Sequence, residues 1–165
     1  MWTTLFGLAN GIAMIGWVLL AALPRRPLVT TTVLYLGAGL LCLIYAVIFA
    51  LLFSGSVDTG QVAGAKPVDV SDYSIPGIRA LFQSDGGIVL GWTHYLAFDL
   101  FVGLWIAKDA DAKGFSRIIQ LPILFATLMA GPIGLLLWLM IREGRARAAG
   151  RARESADSAV ASLAV

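Results

Sequence analysis

A carboxyl and an imidazole share one long apolar stretch. Asp99 lies near the middle of a run from Gly87 to Ala107, and His94 lies five residues before it. An ionisable side chain at that depth in lipid is costly, so it normally faces protein or water and carries a role. A carboxyl in apolar surroundings holds its proton more readily, which suits it to donate one. At about 100° per residue the two side chains point about 140° apart on a helix. They therefore cannot face one narrow pocket as a direct pair. Helical neighbours form two stripes instead. Gly91, Tyr95, Asp99 and Gly103 make one, which sets the Tyr95 hydroxyl beside the Asp99 carboxyl. His94, Phe98, Phe101 and Trp105 make the other, an imidazole capping an aromatic wall. Asp99 reads as a proton donor or ligand contact, or else as a hydrogen-bonded structural residue. His94 carries the same two readings.

The elements that position these residues follow from composition and charge. The chain has 165 residues, 59% hydrophobic and only 13% charged, with a mean hydropathy of +0.85. A typical soluble domain is about half apolar and a quarter charged. A soluble globule, a disordered chain and a disulfide scaffold are all excluded. A net charge of +2 is too small to argue for nucleic acid. Crossing a bilayer takes about 20 apolar residues in a helix. Four stretches qualify: 2–23, 30–53, 87–107 and 118–141. The expectation is an all-α, polytopic integral membrane protein, a four-helix transmembrane bundle over 1–145 with an Arg/Ala-rich tail over 146–165. The first span lacks a basic leader, and Pro24-Arg25-Arg26 follows it in place of a small-residue cleavage site, so it reads as a retained helix.

With four spans, the N-terminus, the loop 54–86 and the tail share one side. That side carries Lys66, Arg79, Arg142 and four tail arginines, seven cations, against Arg25, Arg26, Lys108, Lys113 and Arg117 opposite. The positive-inside rule then places both termini in the cytoplasm, the membrane being a bacterial inner membrane. Within the loop, Ile78, Leu81 and Phe82 fall on one side of a short interfacial helix.

Other residues bear on helix packing. Asn10 reads as interhelical glue or a ligand contact, with Asp99 in reach. Gly7 and Gly11 form a small-xxx-small pair for close helix approach, and Gly37-Ala38-Gly39 forms another. Gly131-Pro132 kinks the fourth span, with Thr127 one turn earlier re-satisfying freed carbonyls. Trp2, Trp92 and Trp138 fit interfacial belts. Cys42, the only cysteine, reads as a small buried hydrophobe. With one Cys and one His, no Cys/His metal site can be built, and no phosphate loop, dinucleotide fingerprint or hydrolase motif occurs. Phe98, Phe101, Trp105 and Phe125 could wall a slot for a flat apolar ligand, or simply pack.

The run Gly91-Trp-Thr-His94-Tyr-Leu-Ala-Phe-Asp99-Leu-Phe-Val-Gly103-Leu-Trp-Ile106, followed by Asp109, resembles the signature of the abscisic-acid-deficient-four-like family, which includes neoxanthin synthase. Leu5-Phe-x-Leu-Ala-Asn10, Gly16-Trp17, Gln120-Leu-Pro122 and Gly131-Pro132-x-Gly134-Leu-Leu are similar to the family's first and fourth helices. The resemblance covers roughly residues 2–141. It implies a four-helix membrane protein linked to xanthophylls, in plants to an epoxide-to-allene isomerisation.

Two functions stay open. One is an enzyme acting on a carotenoid or similar polyene lipid, with Asp99 as acid and His94 or Tyr95 relaying the proton. The other is a non-catalytic pigment- or lipid-binding accessory subunit of a larger membrane complex. No cofactor is evident beyond a bound carotenoid or lipid. The expected partners are membrane lipids, carotenoid, and either complex subunits or a second copy of the chain.

Overall fold

The computed structural model describes residues 1–65 and 67–144. Lys66, the arginines beyond Arg142 and the expected tail 146–165 lie outside the described residues. Among the described residues six helices follow one another: α1 (Trp2–Ala22), α2 (Pro27–Phe53), α3 (Ile75–Phe82), α4 (Asp85–Ala112), α5 (Arg117–Met129) and α6, helical over 131–144. Among the described residues there is no strand, and one isolated bridge joins Gln61 to Ser84. α1, α2 and α4 are long and apolar enough to cross a membrane. α5 is a shorter apolar helix.

Local chemistry sets the ends. Pro27 opens α2 at a position where its missing N–H costs nothing. Ser74 caps α3, its hydroxyl accepting from Gly77 N–H at 3.2 Å. Ser84 caps α4 in the same way, accepting from Gly87 N–H at 3.1 Å. α3 exposes Ile75, Ile78 and Phe82, while Leu81, expected on the same face as Ile78 and Phe82, is half-buried. Inside α2, Val33–Gly39 winds as a π-helix, a local widening found often at functional sites.

The chain divides into two compact units, Met1–Leu104 and Trp105–Val165. In the first, α1 turns Ala9, Ala13, Gly16, Trp17 and Leu20 inward. Leu100 of α4 is the central knob. A Cβ on Gly16 would sit 2.6 Å from its Cδ2, and one on Gly37 would sit 2.9 Å away. The expected close approach at Gly37-Ala38-Gly39 is therefore present. Gly7 and Gly11 do not serve that purpose, since nothing lies within 4 Å of a Cβ placed on either. They stand about 160–200° around α1 from Ala9, away from its packed face. Near the start of α1, Trp2, Ile48, Leu52, Val89 and Leu90 form a second cluster. The Trp2 indole donates to the Asp58 carbonyl at 3.0 Å and ties the long loop to it.

In the second unit the expected single span 118–141 is two helices. Ala130 leaves helical geometry at φ −157°, ψ 78°. Gly134 then packs on Thr127 so tightly that a Cβ would lie 2.4 Å from its backbone nitrogen. Residues seven apart on a straight helix are separated by about 10 Å, so the chain folds back rather than kinking. Thr127 does not repair the break; its hydroxyl donates to the Ile123 carbonyl at 2.8 Å. Trp138, expected in an interfacial belt, is fully buried and sets its ring edge-on to Phe115 at 5.0 Å.

Gly134→Ala forces a methyl into backbone. It should lower stability by about 1–3 kcal/mol or more, read as a fall in thermal midpoint in detergent, while Gly7→Ala leaves the midpoint unchanged or raised.

Candidate functional site

α2 and α4 together make a groove on their outer face. Its volume is about 360 Å³, and it is lined by Leu34, Tyr35, Ala38, Gly39, Cys42, Ala97, Phe98 and Phe101. Small-molecule sites run from roughly 300 to 1,000 Å³. The π-helical turn supplies four of the lining residues, and two of them, Ala38 and Gly39, have almost no side chain to fill the space. Phe98 and Phe101 stand half-exposed on the other wall, 55% and 50%. Cys42, expected to be buried, is exposed here.

An aromatic ladder leads into the groove. Phe53 stacks on Phe49 at 6.1 Å, Phe49 on Tyr45 at 6.2 Å, Tyr45 meets His94 at 5.5 Å, and His94 stacks on Phe98 at 4.6 Å. From Phe53 to Tyr35 is 18 residues along α2, about 27 Å at 1.5 Å each. That is close to the roughly 30 Å thickness of a bilayer's hydrocarbon core. The expected stripe of His94, Phe98 and Phe101 is thus real and faces outward. Tyr35, Tyr45 and Phe49 were not singled out in the sequence, although Tyr45, Phe49 and Phe53 recur at four-residue spacing in α2 and so share a face.

The inner stripe has a different environment. Asp99 is buried at 8% exposure, and Gly103, one turn on, packs against Trp17, with a Cβ placed there 2.4 Å from the indole ring. The Trp17 indole nitrogen is itself buried with no hydrogen-bond partner among the described residues. Tyr95 packs on Trp92 at 5.4 Å. Asn10 does join two helices: it accepts from the Trp92 indole at 3.1 Å while its amide donates to the Phe6 carbonyl at 2.7 Å. Its interhelical partner is thus Trp92.

Trp105 does not line the groove; Arg142 lies over its ring, 5.8 Å from the centroid. Arg142 belongs to a polar clamp around Asp109. That carboxylate accepts from Arg142 Nε at 2.9 Å, from the Trp138 indole at 3.1 Å, and from Lys113. Gln120, fully buried, donates to Asp111 at 2.9 Å and to the Phe115 carbonyl at 2.8 Å. The sequence signal for the clamp was Asp109 with Lys113 one turn later. Among the described residues no cluster of three metal-ligating side chains occurs.

The family model described as ABA DEFICIENT 4-like matches residues 4–138, most of the chain. The chain belongs to that family. No curated protein and no solved structure matches it significantly. Within the matched range, two groups of residues stand apart in the structure. Gly16, Trp17, Leu100, Gly103, Asp109, Gln120 and Gly134 hold helices together. His94, Phe98 and Phe101 lie on the outer face, where none of that packing depends on them.

Asn10→Ala removes the bond to Trp92. Interhelical hydrogen bonds in membranes contribute about 0.6–2 kcal/mol, so a fall in thermal midpoint matching that range is expected, with a shift in tryptophan emission.

Proposed function

We propose that this family member binds a carotenoid or similar rigid polyene lipid along the outer face of α2 and α4, and isomerises it with His94 as the proton-handling group. The observation that carries this reading is the ladder from Phe53 through His94 to Phe98, ending in an apolar groove. A stiff conjugated chain loses little conformational entropy on binding, and aromatic rings offer it flat dispersion contacts. The groove holds one part of such a molecule and the ladder supports the rest. The family resemblance supplies the ligand class and the reaction type, opening of an epoxide to an allene.

That reaction delivers one proton to the epoxide oxygen and removes one from a neighbouring carbon, with no net change in composition. A neutral imidazole has one nitrogen that accepts a proton and one that donates, so it serves both steps in turn. His94 is the chain's one histidine and has ligand-accessible neighbours on both sides. Asp99 sits on the opposite, packed face. For Asp99 to act as the acid, substrate would have to enter between α1 and α4. Asp99 and Tyr95 are therefore read as positioning residues that hold α4 against α1. In this reading the protein is an integral membrane isomerase.

A second reading rests on the openness of the same face. An outer groove accepts a pigment without chemistry, and the protein is then a binding subunit of a larger membrane complex.

The test begins with protein purified gently from carotenoid-containing membranes. A three-peaked visible band in stoichiometric amount is expected for the wild type. Cys42→Trp, which fills the groove, should lose at least most of that band while remaining folded. His94→Phe keeps the ring stack, so it should retain pigment and lose conversion by 100-fold or more, the lower range for general acid–base catalysis. Asp99→Asn should keep conversion within a few-fold. Loss of conversion in Asp99→Asn with retention in His94→Phe would overturn the assignment. Bound but unconverted pigment in the wild type favours the binding subunit.

A further inference from the structure

The segment 117–144 differs from the three spans before it. α5 has 13 residues, a rise of about 20 Å against a hydrocarbon core of about 30 Å. An apolar helix of that length suits a re-entrant segment better than a crossing. α6 returns alongside it. Trp138 comes eight residues after Ala130, yet its ring lies 5.0 Å from that of Phe115, which precedes α5. On one continuous helix those two residues would stand about 35 Å apart. Arg142, one turn further, reaches Asp109 in the last turns of α4. The end of α6 therefore returns to the level at which α5 began.

A turn inside lipid must account for its backbone groups. Ala130 N–H donates to the Ala126 carbonyl at 2.8 Å, and the Ala130 carbonyl accepts from Ile133 at 2.8 Å and Gly134 at 3.2 Å. Pro132 brings no donor. Gly134 allows the two arms to touch.

We propose that residues 117–144 form a re-entrant hairpin that enters and leaves the bilayer on one face, so that the chain crosses the membrane three times. The charge distribution gives independent support. With four crossings the cations divide seven to five. With three, the face that carries Arg25 and Arg26 also receives Lys108, Lys113, Arg117, Arg142 and the four arginines that follow in the sequence. Only Lys66 and Arg79 remain on the other face, a division of ten to two among the 12 Lys and Arg residues. A bias of that size sets orientation by the positive-inside rule. The ten-cation face is cytoplasmic, and the loop between α2 and α3 lies on the far side with the start of α1. This reverses the orientation expected from four spans.

The test uses single cysteines in a Cys42→Ala background, expressed in a bacterial inner membrane. Arg26→Cys, Ser56→Cys and Gly144→Cys are treated with a membrane-impermeant maleimide before and after permeabilisation. Ser56→Cys should label from outside, and the other two only after permeabilisation. If Gly144→Cys labels together with Ser56→Cys and opposite to Arg26→Cys, the chain crosses four times and the hairpin is wrong. If positions 26 and 144 both label from outside, the hairpin stands and its cytoplasmic orientation is overturned. A phosphatase fused after Val165 reads the sidedness of that end without altering the hairpin; it should be inactive, and full activity overturns the cytoplasmic orientation.

Discussion

The seat of Leu100 between Gly16 and Gly37 fixes how α4 is turned about its own axis. The other placements along α4 in the first unit follow from that rotation. With Leu100 inward, Asp99 next to it is enclosed, and Gly103 meets the Trp17 ring. Phe98 and Phe101, on the far side of the same turns, must then face out. A rotation of about 100° would carry a carboxyl into lipid at a cost of several kcal/mol, so the alternatives are strongly disfavoured. Glycines make this possible because no other residue lets Leu100 come so close to two helix backbones.

The second unit is organised around a carboxylate. Asp109 gathers an indole, a guanidinium and an ammonium, and satisfied groups of this kind are what permit charge near the membrane boundary. Trp138 and Arg142 both come from the far arm of the folded-back segment, so their contacts depend on the break at Ala130. Backbone satisfaction at that break and charge satisfaction at Asp109 meet one requirement, that backbone and charged groups at membrane depth have partners.

Much of this was legible in the sequence. Charge-free stretches located α1, α2 and α4 to within a few residues, and Pro24 to Pro27 marked the tight turn. The divergence of His94 from Asp99 was readable from helical spacing alone. What could not be read was which face of each helix packs. A soluble helix betrays its buried side by apolar periodicity, but a membrane helix is apolar all round. Gly7 and Gly11 looked as suited to close packing as Gly16, and Cys42 as suited to burial as Leu41. The hairpin was hidden for another reason. Proline within an apolar run predicts a kink, and it takes the contacts of Gly134 with Thr127 and of Trp138 with Phe115 to show that the chain reverses.

The fold thus keeps the Asp99 carboxyl inside and presents an imidazole, aromatic rings and an apolar groove outside. That division suits a protein whose ligand arrives from the bilayer rather than from water. The most direct measurement is the rate at which Cys42, which lines the groove, reacts with a lipid-soluble maleimide in liposomes with and without carotenoid. The account predicts that carotenoid slows alkylation several-fold in the wild type, while added phospholipid leaves the rate unchanged. An unchanged rate with carotenoid present would contradict it.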